Sequence, residues 1–210
     1  MSTETVLDKL QDQRWWLSSN KLTRSEWEAA GSITSPTARL RHLCGRILAR
    51  QAIADRTGIA ASDIEIAIDR SGKPYLVGQA IEFNISHSAE LVAVSTSQRP
   101  VGIDVECLKR RVNWRAISTQ HFSQSEADWI AARPALSTRR FLALWTLKEA
   151  YLKALGVAVP LGDLAFIPHT ARTLVGRSAA GPASICQFYR ARPGFVVAVS
   201  CLNPLGSTGV

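Results

Sequence analysis

Nowhere does this chain run apolar for the length of a membrane span, which takes about 20 such residues in a helix. A secretory leader is missing as well: Met1-Ser2-Thr3-Glu4-Thr5 carries an acid where a signal would have basic and then apolar residues. These two absences predict a cytoplasmic protein that uses no membrane. Cys44, Cys107, Cys186 and Cys201 stand far apart, without the C-x-x-C spacing of a zinc or dithiol site. Three of them lie among apolar neighbours, where cysteine behaves as a small hydrophobe. Zinc-finger, RNP and basic-zipper patterns are absent too, so the surplus of basic residues has no nucleic-acid motif behind it.

What is present is a 210-residue chain, 46% apolar and 20% charged, long enough for one sizeable core or two small ones. Its net charge of +8 is uneven, with 12 Lys+Arg against 11 Asp+Glu in residues 1–99 and 13 against 6 in residues 100–210. A basic half suits nucleic acid, an anionic membrane surface, or an acidic protein together with a polyphosphate; charge alone does not choose among them. The cluster Lys109-Arg110-Arg111 puts positive charge just after a strand that carries two acids.

Strand and helix patterns interleave throughout, which predicts an α/β (α+β) chain with a sheet in each half. The halves repeat a pattern. Each has an Arg-rich helix ending in glycine (Arg39 to Gly58, Arg139 to Gly156), a short apolar strand (Ile64 to Ile68, Leu164 to Ile167), and a V-A-V-S strand at Val92 to Ser95 or Val197 to Ser200. Gln98-Arg99-Pro100 reads as the join, giving an N-terminal half over 1–99 and a C-terminal half over 100–210. Arg172 to Pro182 reads as a Gly/Ala/Ser loop and Asn203 to Val210 as a tail.

The chemistry concentrates in two segments. In Val101-Gly102-Ile103-Asp104-Val105-Glu106, strand alternation turns both acids to one face. In Trp145 to Gly156, apolar residues run nearly all round a helix, as in a buried one, and Glu149 and Lys153 share a stripe below Trp145 and Thr146. A buried carboxylate needs a cationic partner; for Glu149 the candidates are Lys153 at i+4 or a metal ion. Three oxygen donors, from Asp104, Glu106 and Glu149, suit Mg²⁺, with Mn²⁺ able to stand in, and Mg²⁺ completes its shell with water and phosphates.

Phosphate-holding candidates lie upstream. On the helix beginning near Arg39, Leu40, Leu43, Cys44 and Ile47 mark the apolar stripe, and Arg39, His42, Arg46 and Arg50 form much of the basic side. Arg41 aligns with Gly45 and Leu48, where a missing side chain admits close approach, and its guanidinium can grip phosphate in two places. Phe83 and Ile85 alternate with Asn84 and Ser86 on a strand ending in a Ser86-His87-Ser88 turn suited to a pyrophosphate, and Lys73 occupies a Gly72-Lys73-Pro74 turn.

The G-I-D-V-E strand followed by W-T-L-K-E-A-Y-L-K-A-L-G closely resembles the paired signature of 4′-phosphopantetheinyl transferases of the Sfp type. So do Lys73-Pro74-Tyr75, Phe83-Asn84-Ile85-Ser86-His87-Ser88, the Arg41-x-x-x-Gly45-x-x-x-x-Arg50 helix and Phe122-Ser123-x-x-Glu126, all in the family's order. The resemblance implies two similar α/β halves in pseudo-twofold arrangement, with the active site in the cleft between them. It implies transfer of the phosphopantetheine arm from coenzyme A to a serine of an apo acyl or peptidyl carrier protein, with release of 3′,5′-ADP. Asp104, Glu106 and Glu149 would hold Mg²⁺. Arg41, Lys73, Ser86, His87, Lys148 and Lys153 would contact coenzyme A. Glu149 or a water on the metal would take the serine proton, Lys153 would stabilise the departing phosphate, and Asp104 would complete the catalytic set. The family's basic residues before the Arg41 helix are replaced here by Glu26-Trp27-Glu28-Ala29-Ala30-Gly31, leaving Arg39 or Arg24 for the 3′-phosphate of coenzyme A.

Two rivals remain at this level: a basic nucleic-acid-binding module, supported by the pI near 9.8 and by Arg14-Trp15-Trp16, and a non-catalytic carrier-protein binder. Against the first, the most informative residues are acids, which repel phosphates unless a metal intervenes. Two fused halves predict a monomer.

Overall fold

The computed structural model describes residues 4–9, 22–70, 72–78, 80–157, 159–168, 173–178, 181–189 and 193–202. Arg14-Trp15-Trp16 and the tail from Asn203 lie outside them. The chain is a mixed α/β protein that divides into two compact units, residues 1–98 and 99–210.

The first unit runs β1 (Glu4–Lys9), α1 (Arg24–Gly31), α2 (Pro36–Thr57), β2 (Ile66–Ile68), β3 (Pro74–Leu76), β4 (Glu82–Ser88), β5 (Leu91–Ser97). β2 and β3 form a small hairpin, and the main sheet is antiparallel in the order β1-β5-β4. Thr23 and Glu26 cap α1 reciprocally. α2 begins at Pro36, three residues before the position expected, because Ser35 caps it and Pro36 fits the first turn. It stops at Gly58, whose φ of 75° suits glycine. Cys44, Ile47, Leu48 and Ile53 of α2 pack on Phe83, Val92 and Val94 of the sheet. The basic side expected of this helix is only partly solvated: Arg39 is exposed, but Arg46 and Arg50 are buried. A second layer covers them, since Glu26 of α1 pairs with Arg50 at 3.0 Å.

The second unit runs β6 (Val101–Cys107), α3 (Trp114–His121), α4 (Gln124–Ala131), α5 (Ser137–Leu155), β7 (Leu164–Pro168), β8 (Thr173–Ser178), β9 (Gly181–Tyr189), β10 (Phe195–Leu202). All five strands are antiparallel in the order β6-β10-β9-β8-β7. The loop expected over Arg172 to Pro182 is instead the strand β8 and the start of β9, with a register shift between Gly176 and Ser178. Small residues there mark an irregular hairpin, as bulges do. Phe141, Leu142, Leu147 and Ala150 of α5 share a core with Phe122, Ile130 and Ala198.

Candidate active site

The site of the second unit is built on one close crossing. Gly102 of β6 faces α5, and a Cβ placed on it would stand 2.0 Å from the Ala150 carbonyl oxygen and 2.5 Å from the Ala154 nitrogen. Only glycine lets a strand backbone lie this near a helix backbone. Alternation then carries Asp104 and Glu106 onto the face that Gly102 presents to α5, while Val101, Ile103 and Val105 are buried on the other. Both acids are themselves buried, 6% and 7% exposed.

Lys153 of α5 donates to Asp104 Oδ1 at 2.6 Å. Of the two partners foreseen for Glu149, the i+4 lysine therefore reaches across to the strand instead. Burial pushes the Glu149 carboxyl up, the charge of Asp104 pushes it further, and Lys153 pulls it partly back. Glu106 is paired with Arg110, four residues on, past the end of the strand. Arg110 thereby leaves Lys109 and Arg111 as the outward members of the basic cluster, all three being exposed.

Lys148, expected at coenzyme A, has protein partners. It is fully buried, donating to Glu126 Oε2 at 2.7 Å and to the Leu161 carbonyl at 2.9 Å, with Phe122's ring 4.4 Å from its ammonium. A buried cation held in this way anchors α5 on α4, because a lysine taken out of water must be neutralised where it stands. Sequence reasoning had seen Glu126 only as part of a motif, and Gly102 and Arg110 not as site residues. The signals were present: Ser123-x-x-Glu126 is a capping box, and Gly102 shares the period of the acids.

The coenzyme A candidates Arg41, Lys73, Ser86 and His87 all belong to the first unit. Arg41 Nε donates to the Ala89 carbonyl at 2.8 Å, and the close approach foreseen at Gly45 is made by Ile85 of β4, whose Cγ2 would stand 3.0 Å from an added Cβ. Ser86 is buried and His87 exposed. Both are paired strand residues, opposite Ala93 and Val92, and the turn comes after Ser88, at Ala89 and Glu90. The pyrophosphate turn expected at 86–88 is thus strand, since the polar residues continue the ladder. Lys73 is half-buried on the β2–β3 hairpin, its backbone N–H bonded to Asp69 Oδ1 at 2.9 Å.

Among the described residues no three His, Cys, Asp or Glu side chains are grouped as a formed cation site. The donor set still fits a hard divalent cation: three carboxylates lie on two packed elements, and one is pushed up by another's charge, a repulsion that a cation would relieve.

The sequence model of the 4′-phosphopantetheinyl transferase superfamily matches residues 100–199, and that of the N-terminal part of 4′-phosphopantetheinyl transferase matches residues 10–99. The chain belongs to the 4′-phosphopantetheinyl transferase family. Among relatives of this family, the 4′-phosphopantetheinyl transferase gsp of Aneurinibacillus migulanus is 37% identical over 55% of this chain and 48% of its own length. A Bacillus subtilis 4′-phosphopantetheinyl transferase is 33% identical over 58% of this chain and 54% of its own. The transferase Sfp of Bacillus subtilis strain 168 is 28% identical over 78% of this chain and 75% of its own. The chain thus spans about half the length of the first two of these phosphopantetheinyl transferases.

Proposed function

We propose that the protein moves the 4′-phosphopantetheine arm of coenzyme A onto a serine of an apo acyl or peptidyl carrier protein. The serine oxygen bonds to the phosphorus bearing the arm, the bridging bond of the pyrophosphate breaks, and 3′,5′-ADP leaves. The observation that carries this reading is the packing of Asp104, Glu149 and Lys153 together where β6 crosses α5. Asp104, Glu106 and Glu149 would hold Mg²⁺, or Mn²⁺ in its place, which when bound supplies neutralisation of pyrophosphate charge. Glu149, pushed above an ordinary carboxylate by burial and by Asp104, is suited to take the serine proton, since a base works best when its pKa approaches the working pH. Lys153, tethered by Asp104, is the cation for the leaving phosphate, and positioning with electrostatics supplies most of the acceleration in such transfers.

The cytoplasm and a monomeric state complete the proposal. Four scattered cysteines suit a reducing compartment, and each unit carries its own core. The test is direct: with coenzyme A, Mg²⁺ and an apo carrier domain, mass spectrometry should show the gain of one arm, and a chelator should stop it. No gain with several acyl and peptidyl carriers, where a known transferase works, would overturn the reading.

A further inference from the structure

The two acids of β6 are held by cations of the chain itself, and those cations differ. Lys153 comes from α5 and its side chain is 31% exposed; Arg110 comes from the turn after β6 and is 49% exposed. The Arg110 N–H closes that turn by donating to the Cys107 carbonyl at 3.0 Å, and Leu108 anchors it by donating to the Gly194 carbonyl at 2.8 Å. The chain so doubled back brings the guanidinium to Glu106 Oε1. The carboxylate end of this pair is fixed, because Glu106 is buried within the ladder, opposite Val196 of β10. The arginine end is not. A half-exposed guanidinium on a turn moves into water at little cost, and an ion pair with one solvated partner is weak.

We propose that Arg110 is an exchangeable counterion: a divalent cation taken up by Asp104, Glu106 and Glu149 displaces its guanidinium from Glu106, and the freed guanidinium joins Lys109 and Arg111 in a surface for the acidic carrier. This rests on the transferase reading and on its divalent cation. Two positive charges against one carboxylate oxygen repel, so the doubly charged, oxygen-seeking ion keeps Glu106 and the arginine yields. Before the exchange, Glu106 neutralises Arg110, and the charge the turn offers a partner is that of Lys109 and Arg111. After it, the turn offers three neighbouring cations. Cation uptake therefore readies the surface that steers an acidic partner. By linkage, a bound partner that takes Arg110 strengthens cation binding in return.

The test reads the exchange in the unaltered protein with phenylglyoxal, which adds to free guanidinium groups, and with mass spectrometry to locate the label. Mn²⁺ should raise the labelling rate of Arg110 about threefold or more and leave that of Arg111 nearly unchanged. An apo carrier, added without coenzyme A, should then protect Arg110. In calorimetry Arg110→Gln should tighten Mn²⁺ binding about three- to fivefold, and Arg111→Gln should tighten it clearly less. Unchanged Arg110 labelling while Mn²⁺ binds, or equal tightening in both variants, would overturn the exchange. A carrier that fails to protect Arg110 would overturn the docking half alone. If the unaltered protein binds no Mn²⁺, the exchange and the cation of the proposed site fall together. If Mn²⁺ binds and frees Arg110 but no carrier gains an arm, the transferase reading falls and the exchange stands.

Discussion

The two units solve one structural problem twice and use the result differently. In each, the N3 acid of a capping box, Glu26 or Glu126, binds a buried cation eight residues before the helix-ending glycine, Arg50 or Lys148. In each, that cation also donates to carbonyls just past the helix: Ala61 and Ile64 in the first unit, both at 2.7 Å, and Leu161 in the second. The glycine contacts differ. In the first unit glycine is on the helix, and Ile85's side chain fills the gap; in the second it is on the strand, and backbone meets backbone. Only the second arrangement brings a strand carboxylate to the helix lysine. The helix positions matching Glu149 and Lys153, counted back from the terminal glycine, hold Gln51 and Asp55 in the first unit, where Gln51 donates to Asp55 at 2.7 Å. A shared scaffold therefore does not make a site; the closeness of the crossing does.

The largest effects should come from the twin ion pairs. Lys148→Met and Arg50→Met should each lose about 3–5 kcal/mol in denaturant unfolding, because each strands a buried carboxylate. Pairing Lys148→Met with Glu126→Gln should recover much of the loss. A severe cost in one unit and none in the other would break the equivalence.

Next comes the glycine contrast. Gly102→Ala should cost about 3 kcal/mol, at the upper end for overpacking, because the added carbon meets helix backbone that cannot yield. Gly45→Ala should stay within about 1 kcal/mol, since Ile85's methyl can shift and alanine favours the helix by about that amount. Equal losses would show that the crossing is not what separates the units.

Glu149→Gln should lower turnover by about 10² or more while the melting temperature rises. A carboxyl whose folded pKa is raised favours the fold when protonated, so its contribution is present below the ordinary carboxylate range and is lost as pH rises through the folded value. The variant's stability should accordingly be flatter with pH above that range. Gln51→Glu, at the matching position of α2, should move stability by no more than about 0.5 kcal/mol. The smallest effect belongs to the exposed Lys109 and Arg111: reversing both to glutamate should lower kcat/KM for an acidic carrier a few-fold at low salt. The difference should fade toward 0.5 M, because screening shortens to a few ångströms. Persistence at high salt would mean direct contact rather than steering.

Much of the fold was legible where the rules are local. Strand alternation put Asp104 and Glu106 on one face, glycines ended α2 and α5, and ordered motifs pointed to the family. Legibility failed where one residue answers to another element. The burial of Arg46 and Arg50 on the basic side of α2 was not legible, because helical spacing cannot show that α1 lies over that side. The strand was ended at 86–88 because polar residues suggest a turn, although pairing with β5 carries it to Ser88.

By itself the sequence determined the chemistry available: three acids, the lysines and arginines, and the periods that assign them to faces, all set by residues a few positions apart. Tertiary structure alone decided how they were divided. Lys153 went to Asp104, 49 positions away, rather than to Glu149, four away; Lys148 was withdrawn into the interior by Glu126, and Arg46 was buried beside His42. The physical reason is that an ion pair forms where two backbones are held close enough for side chains to span the gap. Here that distance is fixed by a missing Cβ at Gly102 and by the capping acid of a neighbouring helix.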